Sequence, residues 1–184
     1  MTRSFAPRDD PDIDSVWRWF EYQLTLTQED RERVLRIIAP GSDFHASAVR
    51  AHDAPFIFLT RKDVDEFFDN QIGQLELLTM FEMLGTAEAT LRIAFKTRVK
   101  QRRKDALSRR FRASYKRHGE KIRLDEDILA ALKEEGFKVG AFRGTLKLRD
   151  WLAHGRHWHP KLGRGYTPGD VLGIARELID SIPA

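Results

Sequence analysis

The sequence of 184 residues contains no cysteine, which excludes a disulfide framework, a thiolate zinc site and a cysteine nucleophile. Long apolar runs are also missing, and those present are as short as Phe56 to Leu59, so no segment is predicted to span a bilayer. The first residues are polar and acidic, unlike a secretory signal peptide. We therefore expect a soluble, cytoplasmic protein, whose chemistry, if any, must come from His, Arg, Asp, Glu, Ser or Tyr.

Alternation of apolar and polar residues in the strand pattern is nearly absent as well, and helical periodicity dominates. In residues 1–59 we predict two helices. The first starts after Asp12 or Asp14, and the second starts at Thr27, where the residues resemble a capping box. The second should stop at Pro40, and the connector that follows should bury the short run from Phe56 to Leu59. This region is predicted to be an acidic helical extension.

Residues 60–184 are predicted to form a helical bundle. Its first helix is long, is capped by Thr60 and reaches about Phe95, with or without a break near Asp69. The other predicted helices are the basic segment, a short helix capped by Asp125, one from about Val139 to His154 and one from Pro168 to Ile182. The fold class is therefore all-α, a bundle of four to five helices with an N-terminal helical extension.

Charge is distributed unevenly along the chain. The net charge is +4, but the window from Lys96 to Arg123 has 13 Lys or Arg against Asp105 and Glu120, which is +11. The rest of the chain has 19 basic and 26 acidic residues, which is −7. This polarity indicates a polyanion or an acidic partner surface, and the alternative is a solvated helix face. The residues that we expect to contact RNA phosphates are Lys100, Arg102, Arg103, Lys104, Arg109 and Arg110.

The segment from Leu148 to Gly155 has the residues best suited to chemistry. On a continuous helix, Asp150 and His154 are four residues apart, so they share a face and the carboxylate can orient the imidazole. Arg149 lies about 140° around the helix from His154, so one copy cannot easily direct both side chains at one atom unless the end of the helix unwinds. Two copies packed around a symmetry axis can do so, which indicates a homodimer.

The pattern Arg149-Asp150-x-x-x-His154 resembles the Arg, polar residue, three variable residues, His signature of HEPN domains. These all-α domains occur in prokaryotic toxins, phage-defence proteins and RNA-processing factors, and the helix order over residues 61–184 is similar to theirs. The resemblance implies a dimeric, metal-independent endoribonuclease in which Arg149 and His154 line a cleft and Asp150 is their polar companion. It further implies RNA as the substrate, no cofactor, and an antitoxin or nucleotidyltransferase as a partner protein.

Non-catalytic relatives of HEPN domains exist, so a similar fold does not settle the activity. The catalytic interpretation is cleavage through attack by the RNA 2′-OH, which leaves a 2′,3′-cyclic phosphate. The alternative is a non-catalytic module that binds RNA or an acidic protein partner through its basic residues.

Glu88 interrupts the apolar stripe of the long predicted helix. One interpretation makes it an acidic member of the cleft that holds Arg149 or tunes His154. The other makes it a structural carboxylate that reaches solvent or pairs with a structural arginine.

A group of three histidines, His154, His157 and His159, raises the question of a zinc site. Their spacing could bring three imidazoles together after the helix breaks. We nevertheless predict no metal, because cysteine is missing and the neighbouring Arg156 and Lys161 would repel a cation.

Overall fold

The computed structural model of the chain describes residues 12–39, 51–155 and 165–183. Within these ranges the regular structure is all helical, with six α-helices and no β-strand, which confirms the predicted fold class. The α-helices are α1 (Ile13–Ile38), α2 (Arg61–Gln101), α3 (Ala106–His118), α4 (Ala130–Glu134), α5 (Gly140–Ala153) and α6 (Pro168–Ser181). A 3₁₀-helix, Ala51–Phe56, precedes α2, and a π-helical segment, Leu124–Leu129, precedes α4. None of the helices in these ranges has both the length and the apolar character needed to cross a membrane.

The chain forms two compact units. One unit is Trp17–Thr79, and the other comprises Met1–Val16 with Met80–Ala184. Both boundaries fall inside helices, and α2 is continuous across the second of them. The division predicted from the sequence, between an extension over residues 1–59 and a domain over residues 60–184, stays a prediction.

In the unit Trp17–Thr79, the last turns of α1 lie against the first turns of α2. Arg31 of α1 forms ion pairs with Asp65 and Asp69 of α2, at 2.7 and 2.9 Å. A small apolar cluster is buried here, formed by Val34, Phe56, Val64 and Phe68. The fully buried carboxylate of Asp53 accepts two hydrogen bonds from Arg33, at 2.6 and 2.7 Å. Hydrogen bonds to Asp53 and Asp30 raise the pKa of the Arg33 guanidinium above its ordinary value.

The predicted break at Thr27 is wrong, because α1 is one helix from Ile13 to Ile38. The Thr27 hydroxyl donates to the Gln23 carbonyl at 2.8 Å, one turn earlier, instead of capping a new helix. The predicted burial from Phe56 to Leu59 holds only for Phe56. Phe58, in the turn that follows the 3₁₀-helix, is 94% exposed.

The core of the other unit is built around the second half of α2. Phe95 of α2 and Phe111 of α3 are both buried, with ring centroids 4.8 Å apart. Further buried apolar side chains come from α2 itself and from the helices that follow it, among them Leu84, Leu91, Leu107, Ile128, Leu132, Phe142, Leu148, Val171 and Leu178. Helices α5 and α6 are in contact. This core holds α5, with the Arg149 to His154 segment, in place.

We predicted that the basic window from Lys96 to Arg123 forms one helix of its own. This prediction is wrong, because the window is divided between α2 and α3. Helix α2 continues to Gln101, and Arg102 then takes a φ of +51°. Asp105 starts α3 by accepting a hydrogen bond from the Ser108 amide at 2.9 Å. The sequence suggested one helix because Lys and Arg are good helix formers and no glycine or proline marks this turn.

Asp125 is also not the cap of the next helix. The helical backbone begins at Leu124, and the carboxylate of Asp127 accepts from the Arg123 amide at 2.9 Å. The predicted cap at Thr60 is confirmed, since Thr60 and Asp63 each accept a hydrogen bond from the other's backbone N–H.

Candidate functional site

Helix α5 places the motif residues on its last turn and at its C-terminal end. The helix runs to Ala153, and the N–H of His154 donates to the Asp150 carbonyl at 3.0 Å. Gly155 then takes a φ of +79°, a left-handed conformation that glycine adopts without steric cost. The predicted end of the helix at this point is confirmed, and the His154 side chain is exposed.

Arg149 is held between two carboxylates. Its Nη1 donates to Oε2 of Glu88, which lies on α2. Its Nε and Nη2 donate to Oδ1 of the adjacent Asp150, at 3.0 and 2.8 Å. The Arg149 side chain is 28% exposed and that of Glu88 only 19%, so this ion pair lies partly inside the protein, where charge pairs are screened less by solvent.

Glu88 also binds a second arginine, Arg92, one turn later on α2. The Arg92 Nε donates to Oε1 of Glu88 at 2.8 Å, and its Nη1 donates to the Ile122 carbonyl at 3.0 Å. One carboxylate therefore joins two guanidinium groups, and through them it connects α2 to α5 and to the segment before the π-helix. Of the two interpretations of Glu88, the contact with Arg149 and the contact with a structural arginine are both present in the structure.

The structure thus brings Glu88, Arg149 and Asp150 into one hydrogen-bonded group, with His154 at the end of the same helix. The Asp150 carboxylate binds Arg149, a contact that was not predicted from the sequence. That Asp150 orients the His154 imidazole stays a prediction. Arg92 was missed by the sequence analysis, although its spacing of four residues from Glu88 is the usual spacing of helical ion pairs.

The predicted RNA-contacting residues differ in whether their side chains are already bound within the protein. In the part of the chain that the structure describes, Lys100, Arg102, Lys104 and Arg109 are exposed and have no carboxylate within ion-pairing distance. Arg110, by contrast, binds both Glu134 and Glu135. Arg103 donates from its Nε to Oε1 of Gln101 at 2.7 Å. The exposed cations are concentrated around the turn between α2 and α3.

One arginine of the basic window lies inside the protein. Arg98 is 5% exposed, and its guanidinium binds Asp105, the Ser108 hydroxyl and the Pro183 carbonyl. Partial burial alone would raise the pKa of Asp105, but hydrogen bonds from Ser108 and the charge of Arg98 lower it below its ordinary value. Arg98 could have been recognised, since it continues the buried stripe of α2 three residues after Phe95.

In the three ranges that the structure describes, no group of three or more His, Cys, Asp or Glu side chains is arranged to hold a metal ion. His154 lies within these ranges, but His157 and His159 lie outside them. The zinc alternative for these three histidines is therefore not tested by the structure.

Comparisons of the chain with protein-family models, with curated proteins and with solved structures found no match. A function can therefore be inferred only from the residues and contacts of the chain itself.

Proposed function

We propose that this protein is a metal-independent endoribonuclease of HEPN type that acts as a toxin or a phage-defence effector in the cytoplasm. The observation that carries the proposal is the arrangement of the Arg149-Asp150-x-x-x-His154 motif at the end of α5. His154 is exposed there, and Arg149 is held by Glu88 from a neighbouring helix. An exposed imidazole and a guanidinium in a set position are the two groups that RNA cleavage without a metal requires.

RNA supplies its own nucleophile in this reaction. The 2′-OH loses its proton to a base, and its oxygen attacks the adjacent phosphorus while the bond to the 5′-oxygen breaks and that oxygen takes up a proton. The products are a 2′,3′-cyclic phosphate and a 5′-OH. The His154 imidazole can take the first proton or donate the second. The Arg149 guanidinium can bind the non-bridging oxygens, where negative charge develops in the transition state.

Two copies of the chain form the cleft in this proposal. Arg149 lies on α5 and His154 is the residue that follows its last turn, five positions later, so helical geometry separates their directions by about 140°. A homodimer around a twofold axis brings Arg149 of one copy close to His154 of the other. An antitoxin or a nucleotidyltransferase is the partner protein that such a toxin would need to keep it inactive.

The test is to incubate the purified full-length protein with a labelled RNA oligonucleotide in EDTA. We expect cleavage products that end in a 2′,3′-cyclic phosphate. The matched control substrate has 2′-deoxyribose throughout and should remain intact, because it lacks the nucleophile. Absence of RNA cleavage, or equal cleavage of the deoxy substrate, would contradict the proposal.

A second candidate function is a non-catalytic module that binds RNA or an acidic protein surface. It is favoured by the exposed cations around the turn between α2 and α3, among them Lys100, Arg102 and Lys104. It is also favoured by the two carboxylates that bind Arg149, because they offset the positive charge of the guanidinium that would otherwise attract a phosphate. This function predicts RNA binding that does not depend on His154.

Glu88 acts as a positioning residue in the proposed enzyme, and Glu88→Gln tests this role. The amide is similar in size but has no charge to hold Arg149, which is then free to stay with Asp150. We expect kcat to fall about 10- to 100-fold with KM nearly unchanged, because small displacements of a catalytic group slow the reaction far more than they weaken binding. Steady-state kinetics and thermal unfolding of the same samples give the two readouts.

The control for this variant is Glu82→Gln, which removes one charge from an exposed position on the same helix. If the two variants have equal kcat, the positioning role of Glu88 is wrong. A large fall in melting temperature for Glu88→Gln, with activity normal below that temperature, assigns Glu88 a structural role only.

A further inference from the structure

Exposed hydrophobic side chains are concentrated in the unit Trp17–Thr79. Among the residues that the structure describes, this unit has eight of the eleven exposed large hydrophobic side chains. Five of them form what we call the hairpin face: Trp19, Tyr22 and Leu26 on α1, and Phe67 and Leu78 on α2. Spacings of three and four residues place the first three on one side of α1, and a spacing of eleven places the other two on one side of α2.

The two stripes of the hairpin face belong to one surface. At the Leu26 and Phe67 end of the face, a groove of about 560 Å³ lies between the two helices. Its lining includes Leu26 and Phe67 together with the charged side chains of Glu29, Asp30 and Arg33. Tyr22 and Leu78 are each 62% exposed, and the other three side chains are 41–44% exposed. A hairpin with one small buried cluster thus leaves most of a second apolar face uncovered.

The hairpin face is large enough to form the centre of a dimer interface. Large apolar side chains have about 150–250 Å² each to bury, so these five expose on the order of 500 Å² together. Isolated apolar patches of this size are at the upper end of those found on monomers. A stable interface buries about 800 Å² on each partner, and the polar residues around the face, Gln71 and Gln74 among them, can supply the remainder.

The charges at the edge of the face indicate that its partner is a second copy. Arg18 and Glu29 lie on the same edge of α1, eleven residues or about 16 Å apart, at opposite ends of the stripe. In an antiparallel pair of α1 helices, Arg18 of one copy lies opposite Glu29 of the other, twice over. The unit as a whole has 7 basic and 11 acidic residues, which disfavours RNA or an anionic membrane as the occupant.

We propose that the hairpin face is a homodimer interface in which two α1–α2 hairpins associate around a twofold axis to form a four-helix arrangement. Tyr22 and Leu26 lie at its centre, and the two Arg18–Glu29 pairs lie at its edges. This interface is separate from the cleft proposed above, and the inference does not depend on RNA cleavage.

Sedimentation equilibrium of the full-length chain tests the interface. The wild type should be a dimer, and Tyr22→Glu should weaken dimerisation roughly 30-fold or more, because a charge is forced into the apolar centre. Ile93→Glu is the control, since it adds the same charge at a position on α2 that is 44% exposed and outside the hairpin face. Circular dichroism establishes that both variants remain helical. A monomeric wild type, or a Tyr22→Glu variant that dimerises normally, would overturn the proposal.

Charge reversal tests the antiparallel arrangement. Arg18→Glu and Glu29→Arg should each weaken the dimer about 10-fold, because each places like charges opposite one another twice. The double variant should regain the wild-type affinity. A partner other than a second copy gives no such recovery, so failure of the double variant to recover would refute the self-association. RNA cleavage by the same samples is measured separately from dimerisation. Sedimentation then identifies a dimer that forms through another surface, and the cleavage assay identifies a dimer that is inactive.

Discussion

His154→Ala should lower the rate of RNA cleavage in EDTA by about 100- to 10,000-fold, the usual contribution of a general acid or base. The alanine variant lacks the His154 imidazole, which moves a proton in the proposed reaction. Arg149 remains bound to Glu88 and Asp150, so RNA affinity should change little. Cleavage rates under single-turnover conditions separate the chemical step from product release.

His118→Ala is the matched control for this variant. His118 is also in the last turn of a helix, α3, and also lies near a carboxylate, with its Nε2 3.5 Å from Oδ1 of Asp127. It is far from the motif in sequence and has no role in the proposed reaction. Equal cleavage rates in the two variants, or full activity in His154→Ala, would contradict a catalytic role for His154.

Replacing Lys100, Arg102 and Lys104 together by Ala should weaken RNA binding about 100-fold at low salt. Each of these exposed cations lacks an ion pair in the described part of the chain, so each is available to a phosphate. Loss of three phosphate contacts should also reduce the slope of log K against log salt by about 2, since single-stranded RNA contributes about 0.7 per contact. Fluorescence anisotropy with an RNA oligonucleotide, in the His154→Ala background, measures binding without cleavage.

The control for this triple variant removes the same charge from the other unit. Arg36, Arg61 and Lys62 each have a carboxylate four residues away on their own helix, and their replacement by Ala lowers the net charge equally. If both triple variants bind RNA with the same affinity and salt slope, net charge alone governs binding and the turn between α2 and α3 is not an RNA-binding surface.

The two variants together distinguish the two candidate functions. An endoribonuclease loses cleavage with His154→Ala and binding with the triple variant. A non-catalytic RNA-binding module shows no cleavage at all and is affected only by the triple variant. A module for an acidic protein shows salt-dependent binding to that protein, through the same cations, but none to RNA.

Much of the helical architecture could be predicted because the signals for helix ends are local. The reciprocal hydrogen bonds of Thr60 with Asp63 and of Thr167 with Asp170 join residues three positions apart, so the sequence displays both partners. The end of α5 at Gly155 is similarly local. The predictions failed at Thr27 and Asp125, where a residue with good capping chemistry lies within or beside a helix whose neighbours decide where it begins.

By itself, the sequence determined the all-α class, the uneven charge and the placement of Arg149, Asp150 and His154 on one helix end. Only the tertiary structure decided which charges are neutralised. Glu88 is 61 residues from Arg149, and Glu134 is 24 residues from Arg110. Periodicity along a single helix contains no information about such partners, because they meet only when separate helices pack together. The fold therefore holds Arg149 in place at the motif and leaves the exposed cations at the turn between α2 and α3 available for a polyanion.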